Sequence, residues 1–547
     1  MLIFLNFSLH PNLVCAEQNP INFVIKKLKS IKPILKCSDL VSVNLSDEVG
    51  REVRINSAKN VDDYCMVAGT IDPAINFEVK LPLKNWTQRY VQMGCARLCG
   101  IIFLRQPDAI DTCLPAKNKE IVLAANNMGH ASANINDSEW GRDFKLRSDF
   151  AHKANNLTSI AVKALIRKFY GQAPKYSYFS GCSSGGREGL IEAQRYPKDF
   201  DGIIAGASAI NFTTQNSFYH AWNTLVNQDS NGDPILKAFK LPVLLSAVLN
   251  KCDHLDGVID GVINTPWLCN FDSQTLLCNG NELLRNCLTK EEIRVVKEIY
   301  NGANDGVGNK MVIKGPLYGS EKFWAVQIVP SKSEAAKGLE ISTGVIRDLL
   351  YEELLPMNYS INNFKFTKEN FEATTKLHSI YDSTSPDIKE FVSNGGKILM
   401  WHGLNDADIS PYNSIAYYHA LEKKFGSEKT REFAKLYLLP GAGHCGKGDG
   451  PSNLELLTAM MNWVESGIAP FKMIASLKQG GSFSLNNFPP IPDHLLKVKS
   501  TRPVYPYPIS TEYSGKGDVN NAINFKEGRK LPVPESDLEW LGSKFFN

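Results

Sequence analysis

Residues 176–195 decide the fold, and they read YSYFSGCSSGGREGLIEAQR. The apolar, aromatic run from Tyr176 to Phe179 is typical of a strand, and the stretch from Arg187 to Arg195 is typical of a helix. Between them lies a Gly-x-Ser-x-Gly motif centred on Ser183, which forms a sharp turn that lifts a serine hydroxyl clear of the backbone. Glycines are expected there because a Cβ would clash with the neighbouring strand and helix. The stretch therefore predicts a nucleophile elbow.

Length and charge exclude several classes of protein. The chain has 547 residues, which is enough for a large core and for more than one domain. It carries 60 basic and 57 acidic side chains, so its net charge of +3 gives no reason to expect binding to nucleic acid or to an anionic membrane. Beyond the N-terminus, no segment approaches the ~20 apolar residues that a membrane span needs.

The N-terminus and the cysteines favour export. Residues 1–16 read as a signal peptide with small residues before a cleavage site after Ala16, although the usual basic residues are missing. The 12 cysteines include no C-x2-C pair with a partner pair that would indicate zinc. We therefore expect a disulfide-bearing protein that is secreted or periplasmic. Cleavage after Ala16 leaves 11 cysteines, so we expect one unpaired thiol among Cys95, Cys99 and Cys113.

Strand-like and helix-like segments alternate in two parts of the chain, 17–211 and 386–547. The first part begins with a β-rich region, and the alternation predicts a parallel sheet with helices on both faces. Residues 212–385 lack the alternation and are interpreted as an insertion. Outside the elbow, the predicted strands are 89–94, 120–125, 200–207, 397–401 and 434–439, and the predicted helices are 159–170 and one that begins at Tyr412.

A serine nucleophile needs a base to take its proton and a carboxylate to orient that base. In folds with this elbow the chain order is Ser, acid, His, and the partners follow late strands. His402 directly follows one predicted strand, whereas His444 follows the next through a Gly-rich loop that suits a His at the edge of the sheet. Asp406 and Asp408 are both candidate acids, and Asp406 is nearer to its strand. The expected triad is Ser183, Asp406 and His444.

Cysteines stand next to both the nucleophile and the base. Cys182 precedes Ser183, and Cys445 follows His444. A hydrogen bond of ~2.6–3.2 Å between Ser183 and His444 would bring these neighbours to the Cα separation of ~4.4–6.8 Å that a disulfide needs. We predict a Cys182–Cys445 bridge that closes a very long loop; the alternative is two unrelated buried thiols.

At these motifs the chain resembles the tannase and feruloyl esterase family. The combination of Cys-Ser, Asp and His-Cys is similar to the signature of that family, and the resemblance runs from about Cys37 to the C-terminal region. It is densest in 179–189, 196–206, 315–324 and 441–445, and in His402-Gly403 with Asp406. The resemblance implies an α/β-hydrolase fold with a large inserted lid domain, ester hydrolysis through an acyl-enzyme, and Asp406 rather than Asp408 as the acid.

An acyl-enzyme route creates an oxyanion that needs two hydrogen-bond donors, usually backbone N–H groups. One is expected from Ser184, the residue after the nucleophile. The second is expected from Cys95, in the turn after strand 89–94, where the family has a run of glycines and this chain reads GCARLCG at 94–100. The added cysteines suggest that a Cys99–Cys113 or a Cys95–Cys113 bridge fastens this loop.

The insertion contains an acidic loop, CDHLDGVIDGV, at 252–262. Three carboxylates at i, i+3 and i+7 on a Gly-bent loop can converge on Ca²⁺, which takes about six to eight oxygen ligands. The loop resembles the calcium loop in the lid of the family, which implies a structural Ca²⁺; the alternative is a solvated acidic turn. The implied ligands are the side chains of Asp253, Asp256 and Asp260 and the carbonyls of Val258 and Val262.

Cys252 and Cys269 bracket the acidic loop and are expected to pair with each other. The remaining cysteines expected in disulfides are Cys278, Cys287, Cys37 and Cys65.

The expected function is that of a secreted serine carboxylic-ester hydrolase acting on small aromatic esters of hydroxycinnamoyl or galloyl type. The alternatives are an acyltransferase or a peptidase of the same fold, and a non-catalytic binding protein, which the complete triad disfavours. Substrate choice is expected to lie in the insertion and beside the acid. The candidate residues for it are Ile409, Phe323, Trp324, Tyr351 and Phe366, with Arg347 or Lys322 for a carboxylate.

Overall fold

The computed structural model describes residues 25–104, 113–280, 284–330, 336–446, 448–478, 497–532 and 534. The predicted signal peptide, residues 1–16, lies outside the described residues. The strands are β1 (Val53–Val61), β2 (Tyr64–Ile71), β3 (Ile75–Pro82), β4 (Arg89–Met93), β5 (Ile121–Asn126), β6 (Tyr176–Cys182), β7 (Gly202–Gly206), β8 (Lys397–Gly403), β9 (Ala434–Leu439), β10 (Met473–Lys478), β11 (Val498–Val504), β12 (Ile509–Tyr513) and β13 (Phe525–Lys530).

The α-helices are α1 (Ser46–Val49), α2 (Leu114–Lys117), α3 (Phe144–Ser148), α4 (Ala154–Tyr170), α5 (Ser184–Arg195), α6 (Phe212–Thr214), α7 (His220–Leu225), α8 (Leu241–Cys252), α9 (Lys290–Asn301), α10 (Lys337–Asp348), α11 (Lys368–Thr375), α12 (His378–Tyr381), α13 (Lys389–Ser393), α14 (Tyr412–Phe425), α15 (Ser427–Phe433) and α16 (Leu456–Ser466). Each predicted strand, and both predicted helices, fall on one of these elements. In the described part of the chain, no helix has the length and apolar character that crossing a membrane requires.

The central sheet has nine strands in the order β1-β2-β3-β5-β4-β6-β7-β8-β9. In this order, each neighbouring pair from β5 to β9, with β4 between β5 and β6, is parallel, as predicted. The strands of the predicted β-rich region at the start of the chain, β1, β2 and β3, pair antiparallel with one another, and β3 pairs antiparallel with β5. Only two or three residues separate β1 from β2 and β2 from β3, and so short a connection allows only an antiparallel hairpin.

Successive residues of a strand point to opposite faces of the sheet, and in the parallel part helices bury both faces. On one face Tyr178, Ile204 and Leu399 pack with the apolar side of α16. On the other face Phe179, Ile203 and Ile398 pack with α4 and α14. These near-continuous apolar runs are typical of parallel strands covered by helices, so they carry the α/β architecture that the sequence predicted.

The insertion lies between β7 and β8 and has a hydrophobic cluster of its own. Leu244 and Val248 of α8 pack there with Val295 of α9 and with Trp324, which is fully buried. After α16 the Pro-rich tail adds two two-stranded sheets, β10 with β11 and β12 with β13. The insertion begins at the carboxyl edge of the sheet, after β7, and its described residues add no strand to the sheet.

Five disulfides join cysteines of the described part of the chain: Cys37–Cys65, Cys95–Cys99, Cys182–Cys445, Cys252–Cys269 and Cys278–Cys287. Among the described cysteines Cys113 is the unpaired one, and it is buried, so both bridges predicted for it were wrong. The sheet explains the error: Cys113 packs on the face of the sheet that holds α16, whereas Cys95 and Cys99 pack on the opposite face. The two loop cysteines therefore pair with each other.

A buried ion pair joins the sheet to α16. Two nitrogens of Arg89 in β4 donate to the two carboxylate oxygens of Glu465, each at 2.7 Å, and the Tyr178 hydroxyl donates to the same carboxylate at 2.8 Å. The side chains of Arg89 and Glu465 are 2% and 0% exposed.

Replacing Glu465 by Leu is expected to lower the free energy of unfolding by about 3–5 kcal/mol, because it leaves the Arg89 guanidinium buried without a counter-charge. Chemical denaturation followed by circular dichroism measures the loss. The control is Glu52→Leu, which breaks an exposed pair with Arg54 and should cost far less. Equal losses in the two variants would contradict the importance of the buried pair.

Candidate active site

Ser183 occupies the elbow between β6 and α5. Its φ of +65° and ψ of −123° lie in a region that residues with a side chain rarely adopt, as expected of a nucleophile elbow. A hydrogen bond of 2.9 Å from the Ser183 N–H to the carbonyl of Gly206, the last residue of β7, ties the elbow to the neighbouring strand. A Cβ on Gly181 would lie 2.5 Å from the backbone of Gly185, so the strand and helix can approach this closely only without side chains.

Asp406 and His444 follow the carboxyl ends of β8 and β9, the sheet edge at which Ser183 follows β6. His444 Nδ1 lies 2.7 Å from Asp406 Oδ2, and the Asp406 side chain is completely buried. Because a carboxylate only accepts, Nδ1 carries the proton and donates it, and Nε2 is left as the basic nitrogen. This is the tautomer that a base for a serine hydroxyl needs.

The Asp406 carboxylate receives three further hydrogen bonds. The N–H groups of Asp408 and Ile409 donate to Oδ1 at 2.8 and 2.9 Å, and His402 Nε2 lies 3.2 Å from Oδ2. Burial alone would raise the pKa of Asp406, but the neighbouring His444 and His402 outweigh it and hold the pKa well below its ordinary value. Asp406 is therefore a buried anion with a partner for each oxygen.

His402, which also met the sequence criteria for a base, lies behind the acid. Its Nε2 faces two acceptors, Asp406 Oδ2 at 3.2 Å and the Ile409 carbonyl at 3.0 Å, so this nitrogen carries the proton. Its Nδ1 accepts from the Ser414 hydroxyl at 2.7 Å. The ring is completely buried, so His402 orients Asp406 and does not reach the cavity. Its position directly after the predicted strand 397–401, which in the structure is inside β8, was the only signal for this role in the sequence.

Ser183 opens onto a narrow cavity between the sheet edge and the insertion. The five-residue helical turn Gln215–Tyr219, which has π-type hydrogen bonding, lies in its wall. No pattern in the sequence pointed to the polar residues contributed by this turn and by α7. The cavity is lined by Arg97, Leu98, Ser183, Ser184, Ala209, Phe212, Gln215, Asn216, His220, Ile341, Asp408 and Ile409.

The two histidines near the cavity have opposite pKa shifts. Burial lowers the pKa of His220 to about 4, so this ring is neutral at neutral pH. Burial also works against the charged form of His444, but the negative charges of Asp406 and Asp408 outweigh it and raise its pKa above the ordinary value. His444 is therefore the better proton acceptor of the two.

The Cys182–Cys445 disulfide links the residues next to Ser183 and His444. Its Cα atoms are 6.0 Å apart, and it joins positions separated by 263 residues in the chain. The elbow and the loop after β9 are thus covalently tied, although the whole insertion lies between them in sequence.

The loop at 94–100 packs directly against the elbow. The Gly185 N–H donates to the Cys95 carbonyl at 2.9 Å, and the Ser184 hydroxyl donates to the Arg97 carbonyl at 2.6 Å. The N–H of Ser184 begins α5 and therefore has no acceptor within the helix. The N–H of Cys95, however, donates to the buried Glu188 carboxylate at 3.2 Å. In this structure the Cys95 donor is thus engaged, and the Ser184 donor has no intrahelical partner.

The predicted specificity residues fall in two groups. Ile409 lines the cavity, as expected for a residue beside the acid. None of the other six is among the described residues that line the cavity. Of the four aromatic residues, Trp324 is in the core of the insertion, Phe323 packs against that core, Phe366 packs on Phe218 and Trp222, and the Tyr351 hydroxyl binds Asn370. The two basic residues form ion pairs, Lys322 with Asp449 and Arg347 with Asp348.

The acidic loop at 252–262 offers hard oxygen ligands. Asp256 Oδ2 is buried without a hydrogen-bond partner, and burial together with the nearby Asp260 carboxylate raises the pKa of Asp256 to about 6. Asp253 accepts from the Gly261 N–H at 2.9 Å, and Asp260 pairs with Arg502 at 2.7 Å. This donor set fits a calcium ion. The oxygens of the three carboxylates do not all lie within 4.8 Å of one another, so one ion would have to draw them together.

Known proteins resemble this chain along most of its length. The sequence profile described as tannase and feruloyl esterase matches residues 58–527. An uncharacterized esterase of Xanthomonas campestris pv. campestris is 30% identical over 84% of this chain and 84% of its own. The mono(2-hydroxyethyl) terephthalate hydrolase of Piscinibacter sakaiensis is 27% identical over 86% of this chain and 85% of its own.

A solved structure resembles the fold as well. The feruloyl esterase B of Aspergillus oryzae superposes with a TM-score of 0.75 at 22% identity, covering 90% of this chain and 99% of that chain. This likeness confirms the predicted α/β-hydrolase fold.

Removing the central bridge by Cys182→Ala with Cys445→Ala is expected to lower the free energy of unfolding by about 2–5 kcal/mol, because it releases a very long closed loop. We also expect kcat/KM for an ester to fall about 10–100-fold, since small displacements of reacting groups are costly. Chemical denaturation and initial rates measure the two effects. The control, Cys278→Ala with Cys287→Ala, opens a bridge that spans only 9 residues of the insertion and should leave the rates unchanged. Full activity without the Cys182–Cys445 bridge would show that it does not position the site.

Proposed function

The chain belongs to the tannase and feruloyl esterase family of carboxylic ester hydrolases, and from this premise we propose that it cleaves small aromatic esters with Ser183, His444 and Asp406 as its catalytic triad. The observation that carries the proposal is the 2.7 Å contact between His444 Nδ1 and the buried Asp406 carboxylate. This contact leaves Nε2 as the basic nitrogen of His444. The Cys182–Cys445 disulfide joins the residue before Ser183 to the residue after His444.

In the proposed first step, His444 Nε2 takes the proton of the Ser183 hydroxyl while Oγ attacks the ester carbonyl carbon. The new C–O bond turns the carbonyl oxygen into an oxyanion. When the tetrahedral intermediate collapses, the bond to the alcohol oxygen breaks, and this oxygen takes the proton back from His444. The alcohol leaves, and the acyl group stays on Ser183. The anionic Asp406 stabilises the imidazolium that exists between the two proton transfers.

In the second half, a water molecule replaces the alcohol. His444 accepts one proton of the water while the water oxygen attacks the acyl carbon. The bond from the acyl carbon to Ser183 Oγ then breaks, Oγ takes the proton back from His444, and the carboxylic acid leaves. The raised pKa of His444 suits both roles, since the ring must accept a proton and give it back near neutral pH.

The oxyanion needs donors that point at the place where the charge develops. We propose the Ser184 N–H as one of them. The Cys95 N–H can serve as the second only if it leaves Glu188. The N–H of Ala96 is the alternative, since it donates to no protein group in the described part of the chain.

The lining of the cavity supports an aromatic acyl group of hydroxycinnamoyl or galloyl type. Phe212, Ile341 and Ile409 contribute apolar wall, and polar groups of Gln215 and Asn216 stand beside them for the ring hydroxyls. The five disulfides of the described residues support a secreted or periplasmic location, where such bonds persist.

We also propose that the acidic loop binds a structural Ca²⁺ through the side chains of Asp253, Asp256 and Asp260 and the carbonyls of Val258 and Val262. The unpartnered Oδ2 of Asp256 supports this assignment. Bound there, the ion would neutralise the three carboxylates and hold the loop in its bent conformation.

The proposed nucleophile is tested by Ser183→Ala. A fluorophosphonate should label the wild-type protein and not the variant, and kcat should fall by at least about 10⁴-fold. A panel of methyl ferulate, methyl gallate and ethyl butyrate, with assay of the free acid, identifies the acyl class. The exposed Ser393→Ala is the control and should keep both labelling and rate. An unlabelled wild-type protein would refute the proposal, and transfer to added alcohol in preference to water would make it an acyltransferase.

The proposed calcium site is tested by chelation. We expect EGTA to lower Tm by several degrees and added Ca²⁺ to restore it, because an ion bound only by the folded state stabilises that state. Asp256→Asn should abolish both the calcium dependence of Tm and the heat of binding in calorimetry. The control is Glu353→Gln, an exposed acidic residue of the insertion. If neither EGTA nor added Ca²⁺ changes Tm, the loop is a solvated acidic turn and the proposed calcium site is refuted.

A further inference from the structure

The two candidate acids of the sequence lie on opposite sides of the His444 ring. Asp406 contacts Nδ1, whereas Asp408 Oδ2 lies 3.7 Å from Nε2. The Asp408 side chain is 18% exposed and lines the same cavity as Ser183. A carboxylate thus stands beside the nitrogen that exchanges protons with the reactants, and the mechanism proposed above gives this carboxylate no contact with the substrate.

The chemistry of that mechanism locates the alcohol half of the ester. His444 Nε2 must hand its proton to the departing alcohol oxygen, so that oxygen has to come within ~2.6–3.2 Å of Nε2. A carboxylate oxygen 3.7 Å from the same nitrogen therefore borders the alcohol half. In the alcohol, one carbon bears the ester oxygen, and the next carbon can carry a substituent. That substituent is the part of the alcohol that can turn toward Asp408.

The groups around Asp408 leave its outer oxygen available. Gln327 donates to Oδ1, and the neutral His220 ring lies 3.6 Å from that same oxygen. Oδ2 accepts no hydrogen bond within the described part of the chain. Arg97 is the cationic residue that lines the cavity, but its guanidinium donates to Asn136 at 3.3 Å and makes no ion pair within 4.0 Å of Asp408 in the described residues.

We propose that Asp408 selects the alcohol half of the substrate by accepting, at Oδ2, a hydrogen bond from a hydroxyl on the carbon next to the ester-bearing carbon. The favoured substrates are then monoesters of 1,2-diols, as in glycol, glycerol and sugar monoesters. The same carboxylate disfavours an alcohol with a negative charge at that position, because the two anions repel in a partly dehydrated cavity. This inference rests on the proposed triad.

Three benzoate esters test the selection: 2-hydroxyethyl, 2-methoxyethyl and carboxymethyl. We expect wild-type kcat/KM to be about 10-fold higher for the hydroxyethyl ester than for the methoxyethyl ester, since the hydroxyl donates to a charged acceptor. Asp408→Ala should bring this ratio close to 1. Asp408→Asn keeps an acceptor without the charge, so it should raise kcat/KM for the carboxymethyl ester about 10-fold. Asp449→Asn, a change at an exposed carboxylate outside the cavity, should leave both ratios as in the wild type.

The wild-type ratio is informative without any variant, so the test does not depend on the folding of the Asp408 variants. A wild-type ratio near 1, or a high ratio that survives Asp408→Ala, overturns the inference. Ser183→Ala separates this failure from failure of the proposed function. If Ser183→Ala stops hydrolysis of all three esters while the ratios show no role for Asp408, only the proposed role of Asp408 is refuted. If the Ser183→Ala variant still hydrolyses the three esters, the proposed triad is refuted as well.

Discussion

The buried carboxylate of Asp406 is the interaction on which the site depends. A carboxylate without solvent is costly unless each oxygen has a partner, and here His444, His402 and two backbone N–H groups supply four hydrogen bonds. The anion therefore persists in the interior and fixes both the tautomer and the direction of the His444 ring. The loop from Asp406 to Ile409 has to fold tightly around the carboxylate to do this, and that turn carries Asp408 and Ile409 into the wall of the cavity.

The sheet explains why these groups meet. Ser183, Asp406 and His444 follow β6, β8 and β9, and parallel strands bring their carboxyl ends to one edge. The insertion enters after β7 at the same edge, so its first helical turns form the other wall of the cavity. The Cys182–Cys445 bridge adds a covalent tie across this edge. The buried Arg89–Glu465 pair lies at the opposite end of the strands, where it holds α16 to the sheet.

The loop at 94–100 shows how one local change alters its surroundings. This loop carries Cys95 and Cys99, which pair with each other on one face of the sheet. Cys113 packs on the other face and stays a thiol, because the sheet lies between them. No spacing rule contains this separation, since the positions of two cysteines relative to a sheet are set by the path of the chain. The same holds for the Cys95 N–H, which binds Glu188 of α5, a residue 93 positions away.

By itself, the sequence determined the elements whose signals are local: the elbow at Ser183, the apolar strands β4 to β9, and the residues that follow their ends, Asp406 and His444. Alternation of apolar residues and the steric demands of glycine act over a few positions, so these features could be predicted from the chain alone. Only the tertiary structure decided the antiparallel start of the sheet, the support of Asp406 by His402, and the packing, away from the cavity, of the aromatic residues that were expected to meet the substrate. It also decided that Asp406 and Asp408, two residues apart, lie on opposite sides of one imidazole. Such relations depend on which distant segments pack together, and no local pattern encodes that packing.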